Sequence, residues 1–168
     1  MTTSKHGPRR RVRRTDAIGL AIHGAALLAD HERARILQPL QAAFTKLRQG
    51  VGCDADWAQL ASAMNVAQAI EHQGVVRGLH EHLRHAELTL QTMHRRAEED
   101  TGSRYPYAMH LAEIESLHTA VDLHAFQLSK LSHAEYRRAC QYAFAEVLST
   151  GGIAIDTRQA QQQQALGL

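Results

Sequence analysis

The sequence predicts an all-α fold: a compact bundle of four to six antiparallel helices behind a disordered basic N-terminal tail. Three observations carry this. Apolar residues recur at helical spacing along most of the chain, while valine and isoleucine never alternate with polar residues over a strand-length run. Alanine and leucine, both strong helix formers, are abundant. Only three prolines interrupt 168 residues. Short connections between the helical stretches favour antiparallel neighbours. The expected organisation is a basic tail over 1–14, one helical domain over 15–150 and a flexible Gln-rich tail over 151–168.

Thr15 or Asp16 can cap the first helix, whose stripe is Ile18, Ile22, Ala25 and Ala29. Pro39 predicts either a kink near Gln38 or a break that makes PLQAAFTKLRQG a separate short helix. Leu40, Ala43, Phe44 and Leu47 form the apolar face there, and QGVGC (49–53) is a turn. Asp54 or Asp56 opens the next helix, with Trp57, Leu60, Ala61, Met64 and Ala67 inward. An unbroken helix over 55–99 would span about 67 Å at roughly 1.5 Å per residue, too long for this domain, so a break is expected near Gly74. Leu79, Leu83, Ala86, Leu90, Met93 and Ala97 form the following stripe. Pro106 suits the first turn of a helix over about 105–130, lined by Ile114, Leu117, Val121, Leu128 and Leu131. Ser132 and Glu135 match a capping box for a last helix over about 133–148, burying Tyr136, Cys140, Phe144 and Val147.

Charge is uneven. Residues 5–14, KHGPRRRVRR, hold six Lys/Arg and no acid, so the formal net charge of +2 leaves the remainder near −4. Lys5, Arg9, Arg10, Arg11, Arg13 and Arg14 are therefore candidate phosphate contacts, with binding expected to weaken in salt. The most apolar stretch, AIGLAIHGAALLA (17–29), falls short of the roughly 20 residues that cross a bilayer and contains His23. No membrane partner is expected. Cys53 and Cys140 suggest no disulfide framework, which places the protein in the cytoplasm.

Twelve histidines raise the question of metal. Glu81 with His85, and His118 with Asp122, share helix faces. Glu115 and His118 form one Glu-x-x-His step, where a bundle di-metal site uses two. His82 and His85 can share an ion only if a third ligand converges from elsewhere. The competing reading makes these rings packing elements, with His110 and His124 near the core. Spacing leaves metal ligation undecided, and no cofactor is expected. No phosphate loop, His-Glu-x-x-His or Gly-x-Ser-x-Gly motif points to an enzyme.

WAQLASAMNVAQAIEHQG (57–74) resembles part of a helix-turn-helix. Leu60 and Ala61 would lie in the first helix, Met64-Asn65-Val66 would make the turn, and Ala67 to Ile70 would open the recognition helix. It lacks glycine at the turn and a polar cap at Ala67. The resemblance implies that Gln68 and His72 read bases. The expected function is thus a small non-enzymatic DNA-associated or regulatory protein whose arginine-rich arm contacts phosphates. The alternative is a protein-interaction or homo-oligomeric module without a nucleic-acid role, a homodimer included, presenting Leu79, Leu83, Leu90 and Met93. A third reading is a metal-binding bundle using His82, His85, Glu115 and His118.

Overall fold

Six helices make up the computed structural model, which describes residues 17–100, 102 and 107–150. They are α1 (Ala17–Ala25), α2 (Asp30–Arg48), α3 (Asp54–Gln73), α4 (His80–Glu99), α5 (Leu111–Leu128) and α6 (His133–Ser149). Among the described residues no strand forms, and the nearest approach to one is an isolated bridge between Leu27 and Ser132. The two expected tails lie outside the described residues.

Helix α3 is the hub, packing on α2, α4, α5 and α6. Side-chain pairs show that α2 and α4 run antiparallel to it. Lys46 of α2 meets Asp56 near the start of α3. Trp57 donates to the Leu90 carbonyl of α4, while Gln68, further along α3, meets Glu87, earlier in α4. Leu40, Leu47, Leu60, Met64, Leu83, Met93 and Leu117 fill one apolar cluster between α2, α3, α4 and α5. Ile70, Leu128, Leu131, Ala139 and Ala143 fill a second, between α3 and α6.

A carboxylate three residues past the N-cap opens four of the helices. Glu32 accepts from Ala29 N–H, Asp56 from Cys53 N–H, Glu113 from His110 N–H and Glu135 from Ser132 N–H. Each satisfies a backbone donor that the helix itself leaves unpaired. Only Ser132 completes the box in the other direction, its hydroxyl accepting from Glu135 N–H. The same bonds depress carboxyl pKa values. The Ala29 N–H holds Glu32 low, and the Ser132 N–H and hydroxyl do so for Glu135.

The expected break falls at Gly74, which ends α3 with a left-handed φ of 76° that only glycine adopts without strain. Glu71 then secures the turn by accepting from the N–H groups of Gly78 and Leu79.

Several expectations need correction. Pro39 neither breaks α2 nor isolates a short helix; α2 runs through it. Pro39 and Arg35 lie on the exposed side, where water can bond the Arg35 carbonyl that the proline leaves without a donor. The fifth helix starts at Leu111, not near 105, with His110 as its cap; His110 is exposed rather than core. Pro106 lies outside the described residues. The expected inward stripe of α6 holds only in part: Tyr136, Cys140 and Val147 are half-buried, Ala139 and Ala143 take the buried positions, and Phe144 is 65% exposed. Small residues let α6 approach α3 closely, and a phenylalanine at the contact would hold the two helices apart. The α1 stripe is likewise outside, with Ile18 74% and Ile22 68% exposed. By contrast Leu83, Leu90 and Met93, offered as a dimer face, are buried within the chain.

Candidate functional site

Helix α3 runs without interruption through Met64, Asn65 and Val66. No non-glycine residue takes a positive φ among the described residues, so the left-handed turn of a helix-turn-helix does not form at Asn65. Tertiary packing outweighs the local turn preference of asparagine here, because Leu60, Met64, Ala67 and Ile70 are all buried along one continuous helix. Gln68 donates from Nε2 to Glu87 Oε2 at 2.9 Å, a partly buried bond between α3 and α4. His72 is exposed and stacks on Tyr142 of α6, with ring centroids 5.1 Å apart. The two residues, one turn apart, therefore engage different neighbours. Lys5, Arg9, Arg10, Arg11, Arg13 and Arg14 lie outside the described residues.

The histidines pack against rings. His94 stacks on Trp57 at 4.5 Å, and its Nδ1 lies 3.1 Å from the Tyr107 hydroxyl. His118 tilts against Phe44 and pairs with Asp122 at 3.4 Å. His23 stacks on His133 at 4.4 Å, and His133 Nε2 lies 3.2 Å from Glu32 Oε2. His124 is buried in α5. With aromatic residues at only 5% of the chain, imidazoles supply flat surfaces that phenylalanine or tyrosine would otherwise provide. His82, His85 and Glu115 are exposed. Among the described residues no three His, Cys, Asp or Glu side chains are grouped to hold a metal ion.

Neither cysteine is disulfide-bonded. Burial raises the Cys140 pKa against the lowering effect of the Tyr136 hydroxyl, which works against a nucleophilic thiolate there.

What the packing leaves open is α1. From Ala17 to Ala29 the only polar side chain is His23, and its ring lies on His133. A helix apolar on every side normally sits inside a protein. Here Ile18, Leu20, Ile22 and Leu27 all face water, and only Gly24 and Leu28 of this stretch are buried. Gly24 lies against α6: a β-carbon there would stand 3.5 Å from the Ala134 β-carbon, in ordinary contact. Backbone bonds from Leu28 N–H to the Leu131 carbonyl and from His133 N–H to the Ala26 carbonyl tie the end of α1 to the start of α6. Helix α6 adds its own outer face, where Phe144 and Leu148 are exposed one turn apart. Two helices that each carry large apolar side chains in water are thus packed on each other.

The comparisons give no guide. No family model, no curated protein and no solved structure matches the chain. The lack of a polar outer face on 17–29 was legible in the sequence, but its meaning depends on whether the bundle covers it.

Proposed function

We propose that this protein acts by binding rather than by chemistry, with α1 and the outer face of α6 as its docking surface. The observation that supports this is the exposure of Ile18, Leu20, Ile22, Phe144 and Leu148 on two helices in mutual contact. Apolar surface of this kind, left uncovered by its own core, marks interaction sites on soluble chains. A cytoplasmic setting is consistent with two free cysteines.

Ile18→Ser with Ile22→Ser tests the reading. Both side chains are mostly in water, so the double variant changes stability by less than about 0.5 kcal/mol in urea titrations. It also lowers the fluorescence of a dye that binds exposed apolar surface. A loss of more than about 2 kcal/mol would make these residues part of the core and end the docking assignment.

A second reading, DNA association, is favoured by the six cationic residues in 5–14. The arm would act as an electrostatic anchor without base readout from Gln68, whose amide is bound to Glu87. Fluorescence anisotropy with duplex DNA across a salt series, comparing the full chain with residues 15–168, separates the cases. Weak, sequence-independent binding confined to the full chain, steeply lost with salt, supports the arm. Equal binding by both forms, or by neither, removes it.

A further inference from the structure

We infer that α1 and the basic segment before it form a peripheral attachment site for an anionic lipid surface. This rests on the docking reading and names the occupant of its α1 face. No helix among the described residues is long and apolar enough to cross a membrane. Crossing requires an apolar span of sufficient length, and the expectation of no membrane partner was an argument about crossing. Lying in the interface requires only an exposed apolar face beside positive charge.

Both parts are adjacent in the chain. Lys5, Arg9, Arg10, Arg11, Arg13 and Arg14 end three residues before Ala17, where α1 begins. Ile18 and Ile22, one turn apart, share the side of α1 away from the buried Gly24. Leu20 is exposed as well but on the Gly24 side of the helix, Leu27 follows the end of α1, and no charged side chain occurs from Ala17 to Ala29. The side of α1 that bears Ile18 and Ile22, 74% and 68% exposed, is therefore placed to settle among headgroups and upper acyl chains. Arg137 and Arg138 are exposed on α6, the helix on which α1 rests, and add positive charge to the same part of the molecule.

Charge complementarity selects the occupant. A second copy docked through α1 would bring two segments of six cations together, which opposes association. A phosphate backbone satisfies the arginines but leaves the aliphatic face of α1 wet. An anionic bilayer satisfies both, and a polybasic segment with an apolar anchor is the combination that gives stable surface attachment.

Co-sedimentation of the full chain with vesicles tests this, comparing pure phosphatidylcholine with phosphatidylcholine containing about 30% phosphatidylserine. The expected result is binding to the anionic vesicles at least about tenfold tighter than to the neutral ones, weakening as salt rises. Arg10→Gln with Arg11→Gln, and separately Ile18→Ser with Ile22→Ser, should each lower vesicle affinity about fivefold or more while leaving the thermal melt unchanged. Equal affinity for both vesicle types, no binding to either, or binding indifferent to the isoleucines would overturn the lipid assignment. So would isoleucine-dependent binding to duplex DNA, or isoleucine-dependent self-association without lipid. If the isoleucine variant instead melts early, the docking reading itself fails, a result distinct from loss of lipid binding by a folded variant.

Discussion

Acidification from pH 6.5 to pH 4 removes about 3 kcal/mol of stability through His124 alone, from a pKa lowered from 6.5 to about 4 at about 1.4 kcal/mol per unit. Burial is the cause: His124 is 2% exposed, and the interior disfavours the imidazolium. A hydrogen bond to Gln127 opposes the shift but does not cancel it. Gln127 donates from Nε2 to the Ala67 carbonyl at 3.0 Å, so its Oε1 faces His124 Nδ1 at 3.2 Å. The ring is thus held as the neutral tautomer with its proton on Nδ1. The sign follows from the two states. The unfolded chain takes up a proton below its ordinary histidine value, whereas the folded chain resists until about pH 4. Stability is full above pH 6.5, falls between 6.5 and 4, and loses nothing more from this group below that.

Urea titrations at several pH values check this in the native protein and in His124→Leu. The variant loses some stability near neutral pH, because Gln127 Oε1 is left without its partner, but the slope above pH 4 should flatten, so the gap to the native protein closes as pH falls. A native slope that His124→Leu leaves unchanged would assign the acid sensitivity to other groups. The carboxylates can be told apart by their window. Glu32, Asp56, Glu113 and Glu135 all have lowered pKa values. Their stabilisation is present above the ordinary carboxylate range and disappears as pH falls through their folded values, below the steep part of the His124 transition.

Arg96→Met is expected to cost about 2 kcal/mol, below the roughly 3–5 of a fully buried pair because Arg96 remains part-exposed. Its guanidinium clamps α4 to the start of α5: Nη1 donates to Glu113 Oε1 at 2.7 Å and Nη2 to Glu113 Oε2 at 3.0 Å. Nη2 also donates to the Ala108 carbonyl at 2.7 Å, closing the loop ahead of α5. Burial works against the charged form of Glu113, yet Arg96 and the His110 N–H together hold its pKa below the usual value. Removing the arginine leaves that carboxylate half-satisfied. Adding Glu113→Gln to Arg96→Met should therefore recover part of the loss, since the uncompensated charge is gone. Thermal melts of the two single variants and the double close the cycle. A coupling energy under about 0.3 kcal/mol would show that solvent already screens the clamp.

The helices were legible where the signal is local. Gly74 ended α3 because one backbone conformation favours one residue type. Ser132 and Glu135 announced α6 because both partners of the reciprocal cap are side chains. The starts of α2 and α5 were harder to place, since Ala29 and His110 are weak capping residues and only the carboxylate three positions on reveals them. The apparent helix-turn-helix arose from the opposite weakness: apolar spacing around Asn65 fits either a turn or a straight helix, and local preference does not choose.

By itself, then, the sequence determined the all-α class, the apolar stripes of α2 and α4, the break at Gly74 and the concentration of positive charge in residues 5–14. Only the tertiary structure decided which faces are covered. A stripe records that a helix is amphipathic but not which neighbour arrives, and α6 presents both an alanine side and an aromatic side at helical spacing. Close approach to α3 selects Ala139 and Ala143 and leaves Phe144 in water. Backbone bonds to Leu131 and His133 likewise fix where the end of α1 meets α6, and this docking leaves Ile18 and Ile22 74% and 68% exposed.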